Sequence, residues 1–193
     1  MAQSDARAVF LDRDGVINLD RPDYVKHLGE FSLLPGAAEA VARLTTAGWR
    51  VVITTNQAAI GKGLMGDREL ARIHEHMLTE IEKMGGRISA IYHCPHRPDE
   101  NCPCRKPKPG LLERAAREMG LHLPACYLVG DRMRDIQAGA AVGCTTLLIK
   151  PPGTKEELTD SSPDAVVKDL SEAVDWLLAR ECEQENISSA ETK

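Results

Sequence analysis

Six short apolar runs alternate with amphipathic stretches along this chain, and that alternation restricts the fold more than any other feature. The runs fall at residues 8–11, 50–54, 89–92, 125–129, 145–149 and 165–167, each of strand length. Between them, residues 37–47, 67–84, 109–119 and 134–142 carry helical spacing. Gly48, Gly85, Gly120 and Gly143 stand just beyond the last periodic positions, where a helix ends most easily on glycine. Asp67 is a natural N-cap, and residues 170–182 read as a final amphipathic helix. Strand and helix in strict alternation predict an α/β fold, a parallel sheet with helices on both faces. With 193 residues, 42% of them hydrophobic, the expectation is one domain over 1–182. Residues 183–193 are polar and aperiodic and are expected to be a disordered tail. There is no internal repeat and no linker.

The net charge of −5, with no basic run, argues against nucleic acid as a partner. Any phosphate bound would belong to a small substrate. No apolar stretch approaches membrane-spanning length, and residues 1–7 contain no apolar leader segment, so the expected location is the cytoplasm. A monomer is the default expectation.

In an open parallel sheet, ligands bind outside the carboxyl ends of the strands, so the strand ends carry the chemistry. The first run ends in Asp12-Arg13-Asp14-Gly15. Residues i and i+2 of an extended chain share a side, so Asp12 and Asp14 are expected to address one ligand while Arg13 points away. Two such carboxylates repel unless a cation neutralises them, and oxygen ligands favour a hard divalent ion, Mg²⁺ first. Taken alone, D-x-D-G fits an exposed turn equally well. The second run ends in Thr55-Asn56-Gln57 and the fourth in Gly130-Asp131-Arg132. Arg105 and Lys106 precede the helix that would pack beside them. Carboxylates, a hydroxyl and a lysine at adjacent strand ends suit phosphoryl transfer, where positioning and charge neutralisation dominate.

In this order, D-x-D-G, Thr55, Lys106 and the Gly130-Asp131 pair resemble the four motifs of the haloacid dehalogenase (HAD) superfamily of phosphatases, over about residues 8–150. The resemblance implies a Rossmann-like sheet. Asp12 would be the nucleophile that forms an aspartyl phosphate, and Asp14 the general acid and then base. Thr55 and Lys106 would bind phosphoryl oxygens. Asp12, Asp131 and the Asp14 backbone carbonyl would hold Mg²⁺. Thr54 competes with Thr55 for the hydroxyl role, but the motif places Thr55. Asp135 is either a partner of the metal ligands or an acidic residue favoured in a helix's first turn.

Cys94-Pro95-His96, followed after a short spacer by Cys102-Pro103-Cys104, can wrap one tetrahedral Zn²⁺ with no position left for a catalytic water. The reading is a structural zinc loop over residues 93–106. A disulfide is the alternative, disfavoured by the reducing compartment and by the closeness of the C-x-C cysteines. His93 flanks the cluster, either as a fifth candidate ligand or as an ordinary strand end. Cys126, Cys144 and Cys182 read as small core or helix residues. The loop runs into Arg105 and Lys106, so the metal would hold both cations over Asp12.

A zinc loop combined with those motifs, and no length for a cap domain, is similar to the heptose 1,7-bisphosphate phosphatases and the histidinol-phosphate phosphatases. Residues 18–34, 56–63 and 105–110 look like the heptose branch; the short spacer between His96 and Cys102 looks like the histidinol branch. The resemblance favours hydrolysis of the C7 phosphate of D-glycero-D-manno-heptose 1,7-bisphosphate, on a route to lipopolysaccharide or another glycan. Asn56, Gln57, Arg105, Arg132, Asp20 and Asp23 are the candidate substrate-binding residues. Lys26 and Lys62 are either further phosphate contacts or ordinary solvated lysines. Arg105 suits bidentate recognition. Histidinol-phosphate hydrolysis is the alternative activity, and a non-catalytic zinc-stabilised binding module the alternative of another class.

Overall fold

The computed structural model describes residues 7–150 and 162–191. Six strands form one parallel sheet: β1 (Ala8–Leu11), β2 (Arg50–Asn56), β3 (Ile88–Cys94), β4 (Tyr127–Gly130), β5 (Thr145–Ile149) and β6 (Ala165–Val167), in the order β3-β2-β1-β4-β5-β6. The chain moves outward on one side of β1 and then resumes on the other. The order therefore reverses between β1 and β4, which opens a crevice at their carboxyl ends.

Every residue of β1 is buried, and its side chains divide between two cores by the two-residue period of a strand. Val9 and Leu11 enter the larger core, with Val41, Leu44, Ile73, Met77 and Leu177. Ala8 and Phe10 enter the opposite one, with Leu111, Leu112 and Ala115. Helices α1 (Ala37–Thr46), α3 (Asp67–Lys83) and α6 (Leu170–Glu191) supply the first core, and α4 (Gly110–Met119) the second; α5 (Met133–Ala140) packs on β4 and β5. Between β1 and α1 the chain forms loops and one 3₁₀ turn, Leu28–Glu30, so no cap layer covers the crevice there.

The structure departs from the expected elements in five places. The N-cap of α3 is Gly66, and Asp67, expected as the cap, is the first helical residue. The short helix α2 (Ala58–Gly61) is too brief for periodicity to reveal. β2 and β3 run on to Asn56 and Cys94, because each pairs with the other to its last residue. β4 starts later than expected, since Leu123–Ala125, with Pro124, forms a 3₁₀ turn. Helix α6, expected to end at Cys182 before a disordered tail, continues to Glu191, with neither glycine nor proline to stop it. Residues 192 and 193 lie outside the described residues. Among the described residues, no helix is long and apolar enough to cross a membrane.

Candidate active site

The tips of β1, β2 and β4 converge with the loop after β3 on a cleft of about 580 Å³. Asp12 sits just beyond β1, 4% exposed, and its Oδ1 accepts the Arg13 backbone N–H at 2.8 Å. The Lys106 Nζ lies 3.1 Å from the same oxygen and 2.7 Å from Asp135 Oδ1, and donates to the Thr54 carbonyl at 2.6 Å. A lysine this buried is tolerable only because both carboxylates meet it. Burial opposes its charge, but Asp12 and Asp135 outweigh that and hold its pKa above the ordinary value.

Lys106 is carried by a loop that is fastened to the sheet. Asn56, at the end of β2, accepts the Lys106 backbone N–H with Oδ1 and donates Nδ2 to the Lys106 carbonyl, both at 3.1 Å. Asn56, a candidate substrate ligand, thus commits both side-chain heteroatoms to this clamp.

One oxygen each from Asp12, Asp131 and Asp135 lies within 4.8 Å of the other two. Asp131 Oδ1 is buried with no hydrogen-bond partner. Burial, together with the charges of Asp12 and Asp135, pushes the Asp131 pKa up to about 8 against the pull of Arg132. Burial likewise lifts Asp12 to about 6, although Lys106 opposes it. Hard oxygen donors, crowded until their mutual repulsion resists ionisation, suit a divalent cation such as Mg²⁺. Two glycines permit the crowding: a Cβ on Gly15 would stand 2.3 Å from Asp131 Oδ2, and one on Gly130 2.3 Å from the Asp135 Cβ. Asp135 also caps α5, its Oδ2 accepting the Arg132 N–H at 3.1 Å. Its ion pair with Lys106 is a function that no sequence spacing signalled.

Asp14 behaves differently. The expectation that Arg13 points away is corrected: its side chain is fully buried, and Nη2 donates to both Asp14 oxygens, at 2.9 and 3.0 Å. The two-residue rule fails here because β1 ends at Leu11, and the chain enters a turn in which Gly15 takes φ 83°. Asn18 and Gln57 donate to the same carboxylate, each at 2.9 Å. Burial raises the Asp14 pKa, but Arg13, Asn18 and Gln57 more than offset this, so it is lowered. The Asp14 carboxylate therefore stands apart from the acidic trio. The Gln57 Nε2 also donates to Thr55 Oγ1 at 2.8 Å, linking Asp14 to the hydroxyl at the tip of β2.

The remaining candidates separate into two groups. Arg105, Arg132 and Asp20 line the cleft. Arg132 pairs with Asp20 and Asp131, each at 3.1 Å, and Arg105 donates to the His96 carbonyl. Asp23 does not line it; it faces outward against Lys26 and Arg21, next to Tyr24, whose φ of 68° turns the chain. Lys26 and Lys62 are also absent from the lining: Lys26 meets Asp23 and Glu30, and Lys62 bonds the Tyr24 hydroxyl. Arg21 and Arg134 line the cleft and were missed. Their signal was membership of the loops that also hold Asp20 and Asp131.

Cys94, His96, Cys102 and Cys104 converge beside the Lys106 loop. Cys94 Sγ is 3.5 Å from both His96 Nδ1 and Cys102 Sγ, while Cys104 Sγ is 3.4 and 3.5 Å from the same two atoms. These separations are close to the edge of about 3.8 Å expected for a tetrahedron with Zn–S bonds of about 2.3 Å, and far beyond a disulfide bond. All the cysteines are free. Burial and its contact with Cys104 push the Cys94 thiol up to about 12. A thiolate here needs a cation, and the donor set fits zinc.

Comparison with known proteins agrees with this geometry. A family model described as HAD-hydrolase-like matches residues 103–173. The chain is 40% identical over 175 residues to the D-glycero-β-D-manno-heptose-1,7-bisphosphate 7-phosphatase of Bordetella bronchiseptica, covering 89% of this chain and 98% of that protein. Its counterpart from Pseudomonas aeruginosa is 43% identical over 142 residues, covering 74% and 80%. The crystal structure of D,D-heptose 1,7-bisphosphate phosphatase from B. bronchiseptica, complexed with magnesium and phosphate, superposes with a TM-score of 0.83 over 90% of this chain and 99% of that one. On the strand-tip carboxylates, the buried lysine and this near full-length similarity, the chain belongs to the HAD-like hydrolases, in the family of these phosphatases.

Proposed function

We propose that this protein is a Mg²⁺-dependent phosphatase that hydrolyses the C7 phosphate of D-glycero-D-manno-heptose 1,7-bisphosphate, leaving heptose 1-phosphate. The relatives' names favour the β anomer. The observation that carries the reading is Asp12 at the cleft, braced by a buried Lys106 and adjoining the unpartnered oxygen of Asp131.

Asp12 Oδ1 is held by Lys106 and the Arg13 N–H, which leaves Oδ2 to attack phosphorus. The P–O bond to the sugar breaks as the Asp12–phosphorus bond forms, and the departing alkoxide takes a proton from Asp14, which rests ionised against Arg13 and receives that proton from the incoming phosphate monoanion. Asp14 then removes a proton from water, which attacks the aspartyl phosphate to release inorganic phosphate and regenerate Asp12. Lys106 and the Thr55 hydroxyl bind phosphoryl oxygens. Asp12, Asp131 and the Asp14 carbonyl would hold Mg²⁺, which when bound offsets the negative charge that would otherwise repel a phosphate dianion from Asp12. Asp135 keeps Lys106 charged and aimed. Arg105, Arg132, Asp20, Gln57, Arg21 and Arg134 line the path to the sugar and its other phosphate. Zinc on Cys94, His96, Cys102 and Cys104 would fix the Lys106 loop. The protein is assigned to the cytoplasm as a monomer.

Phosphate release with Mg²⁺ from heptose 1,7-bisphosphate and from histidinol phosphate, compared as kcat/KM, tests the assignment. A preference of about a hundredfold or more for the heptose is expected, within reach of a pocket that hydrogen-bonds its substrate. The short zinc loop is the feature that favours the histidinol ester, and a preference for that substrate would overturn the proposal.

A further inference from the structure

The mechanism leaves one buried charge unused. Arg13 is 0% exposed, the largest fully buried side chain among the described residues. A buried guanidinium is strongly unfavourable unless its donors are matched, and each partner here is informative. In front, the guanidinium forks onto Asp14: Nη2 reaches both oxygens, and Nε lies 3.3 Å from Oδ1. At the side, Nη2 donates to Gln57 Oε1 at 3.2 Å, while the amide nitrogen of Gln57 spans Asp14 Oδ2 and Thr55 Oγ1. Behind, Nη1 is 3.3 Å from His74 Nε2 on α3. That nitrogen has to act as an acceptor, so His74 is neutral, and burial and Arg13 push its pKa down to about 3. The His93 ring stands 6.3 Å from the His74 ring, completing the wall behind Arg13.

We infer that Arg13, backed by His74, is a positioning residue that fixes where the Asp14 carboxylate stands relative to the phosphoryl-binding hydroxyl of Thr55. Asp14 lies past the end of β1, beside the left-handed Gly15, so its backbone is not held by the sheet. Its backbone bridges only Asn18, and the carboxylate is held by the Arg13 fork, the Gln57 bridge and the Asn18 amide. This keeps the carboxylate away from the acidic trio, where it would compete for the cation, and at the cleft, where the leaving oxygen departs. The inference rests on Asp14 as the general acid.

The test compares two esters. The sugar phosphate releases an alkoxide that needs a proton; p-nitrophenyl phosphate releases a nitrophenolate that does not. The kcat and KM of wild type, D14N, R13K and H74F would be measured on both with Mg²⁺, alongside thermal melts that confirm folding. D14N is expected to lose far more kcat/KM, which reports the step in which the leaving oxygen departs, on the sugar phosphate than on the aryl ester, whereas kcat also contains the hydrolysis of the aspartyl phosphate that both esters share. R13K keeps the charge but lacks the fork, and is expected to show the same bias at tenfold or more, with KM changed less than threefold. H74F, which removes only the rear acceptor, is expected to show a weaker bias of the same sign, and it decides the matter if R13K fails to fold. Equal losses on both esters in the folded Arg13 and His74 variants, with the bias intact in D14N, would overturn this inference and leave the proposed function standing. A D14N enzyme without the bias in kcat/KM would overturn the general-acid role of Asp14, on which both this inference and the proposed mechanism rest.

Discussion

Replacing Lys106 with methionine probes the site's internal charge balance. In the native chain its ammonium lies 2.7 Å from Asp135 and 3.1 Å from Asp12, with side-chain exposures of 1%, 0% and 6%. Methionine has similar length and no charge, so the substitution leaves Asp12, Asp131 and Asp135 crowded without their cation. Removing one partner of a buried pair costs about 3–5 kcal/mol. For a chain of this size, with roughly 2–4 °C per kcal/mol, the melting temperature should fall by about 6–20 °C in metal-free buffer. The double variant K106M/D135N removes a charge of each sign and should recover at least about 1 kcal/mol relative to K106M. Urea unfolding measures both variants, and Mg²⁺-dependent phosphate release should be abolished in K106M throughout. A K106M protein within about 1 kcal/mol of wild type would refute the view that this lysine neutralises the buried carboxylates.

Asp12→Asn should retain the fold and lose all turnover; substantial residual phosphate release would refute the covalent step. Chelating zinc should lower the melting temperature, since the cysteine loop would lose the cation that joins its ligands, and an unchanged melt after confirmed metal loss would argue against a structural ion. The pH dependence follows from Asp131. Its folded pKa of about 8 lies above the unfolded value of about 3.9, so the folded, metal-free protein retains a proton that the unfolded chain releases. That contribution to stability is complete below about pH 4 and is lost as the pH rises towards 8. Mg²⁺ should protect increasingly over the same window, and Asp131→Asn should flatten the trend in the metal-free protein. A contribution from Asp131 that grows with pH would contradict the assignment.

What the sequence made legible were the places where polarity changes abruptly along the chain. β1, β5 and β6 begin and end where expected, because each apolar run is bounded by polar or turn-forming residues. Asp12, Thr55 and Asp131 follow at once, since an open sheet presents its strand ends together. The cluster of Cys94, His96, Cys102 and Cys104 was equally legible, as its members are close in sequence. The contacts that were not legible join distant segments or depend on a turn. Asp135 meeting Lys106, and Asn56 clamping the loop that carries it, arise from packing between α5, β2 and the zinc loop. The reversal of Arg13 required knowing that β1 stops before the aspartates, and Asp23 turning outward required the left-handed Tyr24.

The sheet order also governs when this site comes into being. β1 is made first, but its far neighbour is β4, so Val9 must wait for Tyr127 to be synthesised before that side of the strand is covered. β2 and β3 can pair earlier, and the cysteine loop can close, all before Asp131 and Asp135 exist. A nascent chain released at this stage would present Asp12 with its lysine brace in reach, but without Asp131, which the proposed mechanism gives to Mg²⁺, and without Asp135, the second carboxylate on Lys106. Under the proposed mechanism, magnesium affinity therefore appears only once β4 has paired with β1. It reports the closing of the crevice between β1 and β4, and it ties the onset of activity during synthesis to the arrival of β4.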